Sequence, residues 1–530
     1  MKKRNLTYLA IVIAIMLGAC GPKKELPSTR FTFDVSVDLD SSKSKAPALQ
    51  SFAHAVNGND WLLFAGRTNT QDSSYIGGLH DMNQNSDYAK KSFPPLSFNE
   101  DIFVYNVSND QVWKLSYPSL KSFVQNSIKS SALTLEEGEI ERIFELMGTA
   151  FRCSNPQIIQ DETYLYLVGG YGTPLDSTDS ASAYQTFNHV VRINYSKMIE
   201  LVKTLGEGKE LATSTEWLDL ISVGSNDQLA ATGGEIQRIA DKLYLCGGHN
   251  YAFNNNKPGQ KNGQKYQDAV YQFSVAQDGI NPFKLNVSVG DIITDIPLDS
   301  IPTQYADKKS KLRRRDGPIV PILTTNGDGS IEQAISFYAG VFTPEFTAWN
   351  DAVYILPNTS SQLKIDSNYY QDNYNVYSCP DFGLFDPLDS TVHTFLPGGI
   401  GDSKNDSNLS AFTHSLAHIV LDTKEMTSSM TVNDSLFQTQ YYYGAESSFM
   451  LEPGVEGKVF SLGSQNTELL DAGKLFGNDG GDIVVGYIYG GIEAFQKSPG
   501  GGNRHGYGKG LSAASSKIWK VTLSKKPIHL

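Results

Sequence analysis

Six times along this chain a short aromatic or aliphatic run ends in a glycine pair or an Ala-Gly equivalent. Three copies are regular: Trp61–Gly66, Tyr164–Gly170 and Leu243–Gly248. Three are looser: Ile335–Gly340, Val392–Gly399 and Val485–Gly491. An alternating segment follows most of them, as in Asp101–Asn106, His189–Asn194, Asp268–Phe273 and Asp351–Leu356. Apolar residues at every second position mark half-buried strands. In the first unit Gln111–Leu115 adds a further strand, and before each glycine-pair strand lies a short segment ending in a polar turn, such as Asn57–Asp60 or Gln160–Thr163. Four strands per unit, repeated, restrict the chain to an architecture whose units bury their faces against one another. Glycine pairs suit places where strands crowd too closely for a side chain. The Tyr and Trp residues that follow fill the wider space between units.

This unit resembles the blade of a kelch β-propeller. The resemblance covers nearly all of the chain beyond its first 29 residues and is clearest in the first three units. The fold class it implies is all-β: a six-bladed kelch-type propeller with long loops on one face and a short helical insertion. Ring closure supports six. The last unit ends on Ser516–Leu523, and its missing fourth strand can come from the strictly alternating Arg30–Asp38. Joining the two ends of the chain in one blade removes two open sheet edges. Seven blades stay open, because residues 400–480 do not parse. A β-sandwich, or two of them, is the other arrangement such strands allow.

The N-terminus reads as a signal rather than as fold. Lys2, Lys3 and Arg4 precede an apolar run, Leu6–Leu17, too short to span a bilayer comfortably. Leu17-Gly18-Ala19-Cys20 resembles the lipobox of bacterial lipoproteins, which implies that the Cys20 thiol is lipidated and the chain cut before it. The expected division is a signal peptide over 1–19, a lipidated tether over 20–29 and a propeller over 30–530. Gly21, where an Asp would favour inner-membrane retention, points to the outer membrane. The whole chain carries a formal charge of −13. Losing the three cations of the signal takes it near −16. Such a chain is a poor partner for nucleic acid or anionic lipid, so the membrane is met through the Cys20 lipid only. Cys153, Cys246 and Cys379 form neither a disulfide framework nor a metal cage, and read as small buried hydrophobes.

Each unit averages roughly 85 residues, against about 50 for a kelch repeat. The excess falls in connections from second to third strand and between blades. Turns from first to second and from third to fourth strand are mostly short. Strands alternate direction, so both long classes leave at one end, and loops on a rigid scaffold are where function collects. One insertion carries helix signals: Thr134–Glu137 as a capping box, then Ile140, Ile143, Phe144 and Met147 as an apolar stripe, stopped by Gly148.

Candidate ligand- or partner-binding residues lie at that end. Arg313, Arg314 and Arg315 form the one dense basic run, with Arg152 in the analogous place before blade two. Arg67, Tyr171 and His249 follow glycine pairs, and His80 lies in the first long loop. Arginine forks suit carboxylates. A solvated charge run or ion pairing between blades is the structural alternative. His414 and His418 stand four apart, but on a strand that is about 13 Å, and no third ligand is evident. The copper set of galactose-oxidase-like propellers cannot be assembled, and no cofactor or metal is expected. Catalytic residues stay unassigned. The expected function is a non-catalytic, outer-membrane-anchored propeller binding a protein or glycan. The alternative is an extracytoplasmic carbohydrate-active enzyme resembling sialic-acid mutarotase propellers. That reading requires a deep axial pocket with a carboxylate beside Arg152 or Arg313–Arg315.

Overall fold

The computed structural model describes residues 30–69, 97–131, 133–173, 184–251, 264–297, 310–341, 343–344, 347–359, 361–369, 376–401, 411–463, 465–497 and 512–528. Cys20, with the whole signal and tether, and His80 lie outside the described residues.

Six sheets, each with a four-stranded antiparallel path, make a six-bladed β-propeller. Each innermost strand opens a sequence unit: Ala53–Asn57, Gln157–Gln160, Thr232–Ile239, Ile319–Thr325, Phe382–Asp386 and Ser447–Leu451. The strand leading into each glycine pair stands second. Residues 400–480, which resisted parsing, hold the outer strands of blade five and the inner strand of blade six rather than a seventh blade. The ring closes as the sequence suggests. Arg30–Leu39 pairs antiparallel with Ile518–Ile528, Val35 opposite Leu523, and becomes the outer strand of blade six.

A second closure runs around the axis. At or just before the start of its innermost strand, each blade carries one residue with left-handed backbone: Ser51, Asn155, Gly233, Asp316, Ser378 and Glu446, all with φ between 52° and 66°. Asn155 donates its backbone N–H to the Ser51 carbonyl (3.0 Å), and Gly233 to Asn155 (3.4 Å). Asp316 donates to Gly233 (2.7 Å), Ser378 to Asp316 (2.6 Å), Glu446 to Ser378 (2.7 Å) and Ser51 to Glu446 (3.1 Å). Turned-back backbone is needed to aim each N–H at the neighbouring blade. The result is a closed circle of six bonds.

The glycine pairs stitch blade to blade. Gly66, Gly170, Gly248 and Gly491 each donate N–H to a carbonyl of the next blade, respectively Cys153, Ala231, Arg314 and Leu49, at 2.7–2.8 Å. A Cβ on Gly169 would stand 2.0 Å from the Ala231 carbonyl oxygen. The glycines are therefore required by contact between adjacent blades. Aromatic residues fill the outer wedges. Trp61, fully buried, lies 5.5–5.7 Å from Tyr105, Tyr487 and Tyr489, joining blade one to blade six.

The helical insertion is larger than its sequence signals indicate. One helix runs Tyr117–Ser130 and a second Glu137–Phe151. The second is capped by Glu136 with Glu139 rather than by Thr134, and it continues through Gly148. Buried packing of Met147, Ala150 and Phe151 outweighs the intrinsic cost of a mid-helix glycine, about 1 kcal/mol. Ile143, Phe144 and Met147 pack on the rim between blades one and two.

Two insertions interrupt the end expected to carry only short turns. The third-to-fourth connection of blade two holds the helix Tyr195–Gly206. The first-to-second connection of blade six holds a hairpin, Val459–Leu462 with Gln465–Asp471. That hairpin pairs parallel to the innermost strand of blade five, Leu469 opposite Gly383, and so lines the axis.

Candidate functional site

The long-loop end has a regular ground plan. The residue after each glycine pair bridges the residue just before the axial circle: Arg67 with Gln50, Tyr171 with Ser154, His249 with Thr232, Val341 with Arg315, and Ile400 with Tyr377. Arg67, Tyr171 and His249 are thus equivalent positions on successive blades. Arg315 stands on the companion strand of the fourth.

These side chains are held rather than displayed. Arg67 is buried, and Gln50, with its amide oxygen assigned toward the guanidinium, accepts from Arg67 Nε at 3.1 Å. Tyr171 is buried in a cluster with Phe98 and Tyr184. Arg152 caps the second helix and pairs through Nε with Glu100 at 3.0 Å. Arg313 lies 4.0 Å from the Tyr266 ring. Arg315 stands 5.9 Å from the same ring and 3.5 Å from Asp316. His249 is pushed well below the usual imidazole range, first by burial and then by Arg315.

Arg314 differs from its neighbours. Its side chain is wholly buried, donates from Nη2 to Asp351 Oδ1 and from Nη1 to the Asp351 carbonyl (both 2.8 Å), and donates from Nε to the Lys311 carbonyl. That ion pair lies within blade four, Asp351 standing just before its third strand, and so is not the pairing between blades weighed for the basic run. His418 faces His393 rather than His414, with Nε2 3.0 Å from His393 Nδ1. Among the described residues no three metal-ligating side chains converge.

An axial cavity of the kind the enzymatic alternative required is present, with Asp316 beside Arg315, but its acidic lining was not read from the sequence. It holds about 680 Å³ and runs from the six-residue circle to the first-to-second-strand turns, where Asn57 and Glu162 are exposed. It therefore reaches solvent at the end opposite the long loops. Its walls come from the innermost strands of all six blades and from the inserted hairpin.

Carboxyl groups dominate its polar lining: Glu235, Asp316, Asp381, Glu446 and Glu468 lie within it, with Asp161, Glu162 and Glu456 toward the rim. Burial raises Asp316 to about 6; Arg315 pulls it down and Glu446 pushes it up. Burial and then the Glu468 charge raise Asp381 to about 7. Glu235 is raised well above its ordinary range by burial, then by Asp381, Glu468 and Asp316. Glu468 is deep in the molecule yet its side chain is exposed to the lumen. Burial raises its carboxyl, opposed by the Arg238 charge.

Blades two to six each contribute at least one of these acids, roughly 65–80 residues apart in the chain, which is why no local motif announces them. A usable signal exists all the same. Ser51, Asn155 and Gly233 each precede the second glycine of their unit by fifteen residues, so the starts of the first three inner strands were locatable. No protein-family model matches this chain, and no curated protein matches it either.

Proposed function

We propose that this propeller is a lipoprotein, anchored through Cys20 in the outer membrane, whose long-loop face binds a protein or a glycan without catalysis. The observation that carries the binding reading is the equivalence of Arg67, Tyr171 and His249 on successive blades of a rigid sixfold frame, with Arg315 on the companion strand of the fourth. Cationic and aromatic groups held in place there lose little side-chain entropy on binding. Anchoring rests on the lipobox resemblance at Leu17–Cys20, and a kelch-like origin on the glycine-pair units.

Co-purification from mild-detergent extracts tests the reading, comparing wild type with Arg152→Ala/Arg315→Ala. Arg314 is left in place because it holds the fold. A stoichiometric partner present with wild type and lost with the variant is the expected result. A partner retained in full by the variant contradicts it. For the anchor, Cys20→Ser should move the protein from the membrane fraction to the soluble one.

One observation favours the enzymatic alternative. Asp316 lines an axial cavity, stands 3.5 Å from Arg315, and is raised to about 6, near the range of a working acid or base. A mutarotation assay on sialic acid with wild type and Asp316→Asn separates the readings. Turnover abolished by the substitution would place the function in the cavity.

A further inference from the structure

The axial cavity holds three carboxyl groups without a hydrogen-bond or ion-pair partner among the described residues. Asp316 has Arg315, and Glu446 accepts from Asn155 Nδ2 at 2.7 Å and from Ser51 Oγ. No described residue donates a hydrogen bond to, or forms an ion pair with, Glu235, Asp381 or Glu468. The nearest wall cation, Arg238, is directed to Glu162 at the rim, with Nη1 3.4 Å from Oε2. On the blade-one wall of the same cavity, His54 has its Nδ1 enclosed without a hydrogen-bond partner. Burial drives that imidazole down to about 4, so at neutral pH it is uncharged and does not compete for the acids. Partly buried carboxylates without partners are costly. A cavity that retains three, Glu235 and Asp381 half-buried and Glu468 open to the lumen, beside a neutral, unsatisfied imidazole is built for a cation.

The spacing of the acids selects the kind of cation. No three ligating side chains converge among the described residues, so a single metal ion finds no cage. The acids are spread along the wall instead: Asp316 in the circle, Glu235 on the inner strand of blade three, Asp381 just before that of blade five, Glu468 on the hairpin, and Glu162 and Glu456 at the rim. Phe52, Ile158, Val320 and Phe449 stand among them as apolar wall. Inner strands of four to eight residues give a depth of roughly 13–26 Å, at about 3.3 Å per residue. A ligand with ammonium groups separated by methylenes matches this alternation of charge and hydrocarbon, and the volume lies within the range of small-molecule sites.

We infer that the axial cavity binds a small linear polyamine, which enters from the end opposite the long loops and places its ammonium groups against Glu235, Asp381 and Glu468. This site is separate from the long-loop face.

Calorimetric titration of the full chain at pH 7.5 tests it, with spermidine and 1,4-diaminobutane as probes and MgCl₂ at matched ionic strength as the comparison. Saturable binding of one spermidine per chain is expected. Glu235→Gln and Asp381→Asn should each weaken it at least tenfold. Each should also raise the melting temperature of the amine-free protein, because each removes an unanswered carboxylate. Glu468→Gln, exposed to the lumen, keeps the test open should the deeper variants fail to fold, and it too should weaken binding. Absence of saturable binding, equal heats from MgCl₂ alone, or undiminished affinity in the variants that fold would overturn the inference.

Discussion

Ser51 donates its backbone N–H to the Glu446 carbonyl across 3.1 Å, and this bond joins the start of the first blade to the start of the sixth. The propeller is thus closed twice: at its perimeter by Arg30–Leu39, and at its axis by a circle of backbone hydrogen bonds. The inner closure fixes the end of the cavity and the platform on which Arg67, Tyr171, His249 and Arg315 stand. Side chains reinforce it, since the Glu446 carboxylate accepts from both Ser51 and Asn155 and so ties three blades together.

Glu446→Ala should therefore destabilise the protein by about 2–4 kcal/mol, the worth of one or two hydrogen bonds to a charged group. Urea unfolding gives the value directly. A loss under about 0.5 kcal/mol, the ordinary surface range, would mean that the backbone circle holds without it.

Two glycines with similar backbone separate blade contact from conformational preference. Gly169 (φ 65°) has no room for a Cβ against Ala231, whereas a Cβ on Gly208 (φ 73°) would meet nothing within 4 Å. Gly208→Ala should cost only the left-handed penalty, about 1–2 kcal/mol. Gly169→Ala should cost more than about 3 kcal/mol, as backbone strain is added to overpacking. Equal losses in thermal unfolding would show that the pairs are not needed for contact between blades.

The ion pair of Arg314 and Asp351 predicts an asymmetry. Asp351→Ala leaves a wholly buried guanidinium without its carboxylate and should cost about 3–5 kcal/mol. Arg314→Met leaves Asp351 still paired with Lys311 at 2.6 Å, so its loss should be smaller. The reverse order in denaturant titration would contradict the assignment of Arg314 as structural.

Stability should depend on pH through two opposed groups. Asp381, raised from 3.8 to about 7, binds its proton more tightly in the folded state. Its contribution is present at low pH and is lost as pH rises from about 4 through 7. Asp381→Asn should therefore gain on wild type across that window, with its greatest advantage near pH 8. His393 and His418, lowered to about 3 and about 4 by burial, act the other way. Their stability is present above 6.5 and lost as pH falls toward 3–4. Phe33 of the closing strand packs edge-on to His393 at 4.9 Å, so acid should loosen that strand early. Melting temperatures of wild type and Asp381→Asn from pH 4 to 8 check the first claim. Amide exchange in residues 30–39 checks the second.

Much of the frame was legible because it rests on local patterns. Tyr164–Gly170 is a strand with period two followed by glycines that contact the next blade, and both signals lie within seven residues. Closure by Arg30–Asp38 was readable because an alternating strand at one end met a unit lacking a strand at the other. Val459–Leu462 was not readable, since its residues are half-exposed throughout and its hairpin pairs with a blade 80 residues upstream. The helix Tyr195–Gly206 hid behind the expectation of short third-to-fourth turns, although Asn194 caps it and Met198, Ile199 and Val202 give its stripe. Arg314 and Arg315 look alike in sequence and diverge in structure, because only the first points inward to Asp351. The acidic cavity exists only once six distant strands meet at one axis.

The binding claim is tested most directly by amide hydrogen exchange on the full chain, free and with its co-purified partner. Protection is predicted around residues 67–69, 152–154, 171–173, 249–251 and 313–315, with none at the opposite turns around 58, 162 and 240. Protection at those opposite turns, with the long-loop end unchanged, would contradict the account.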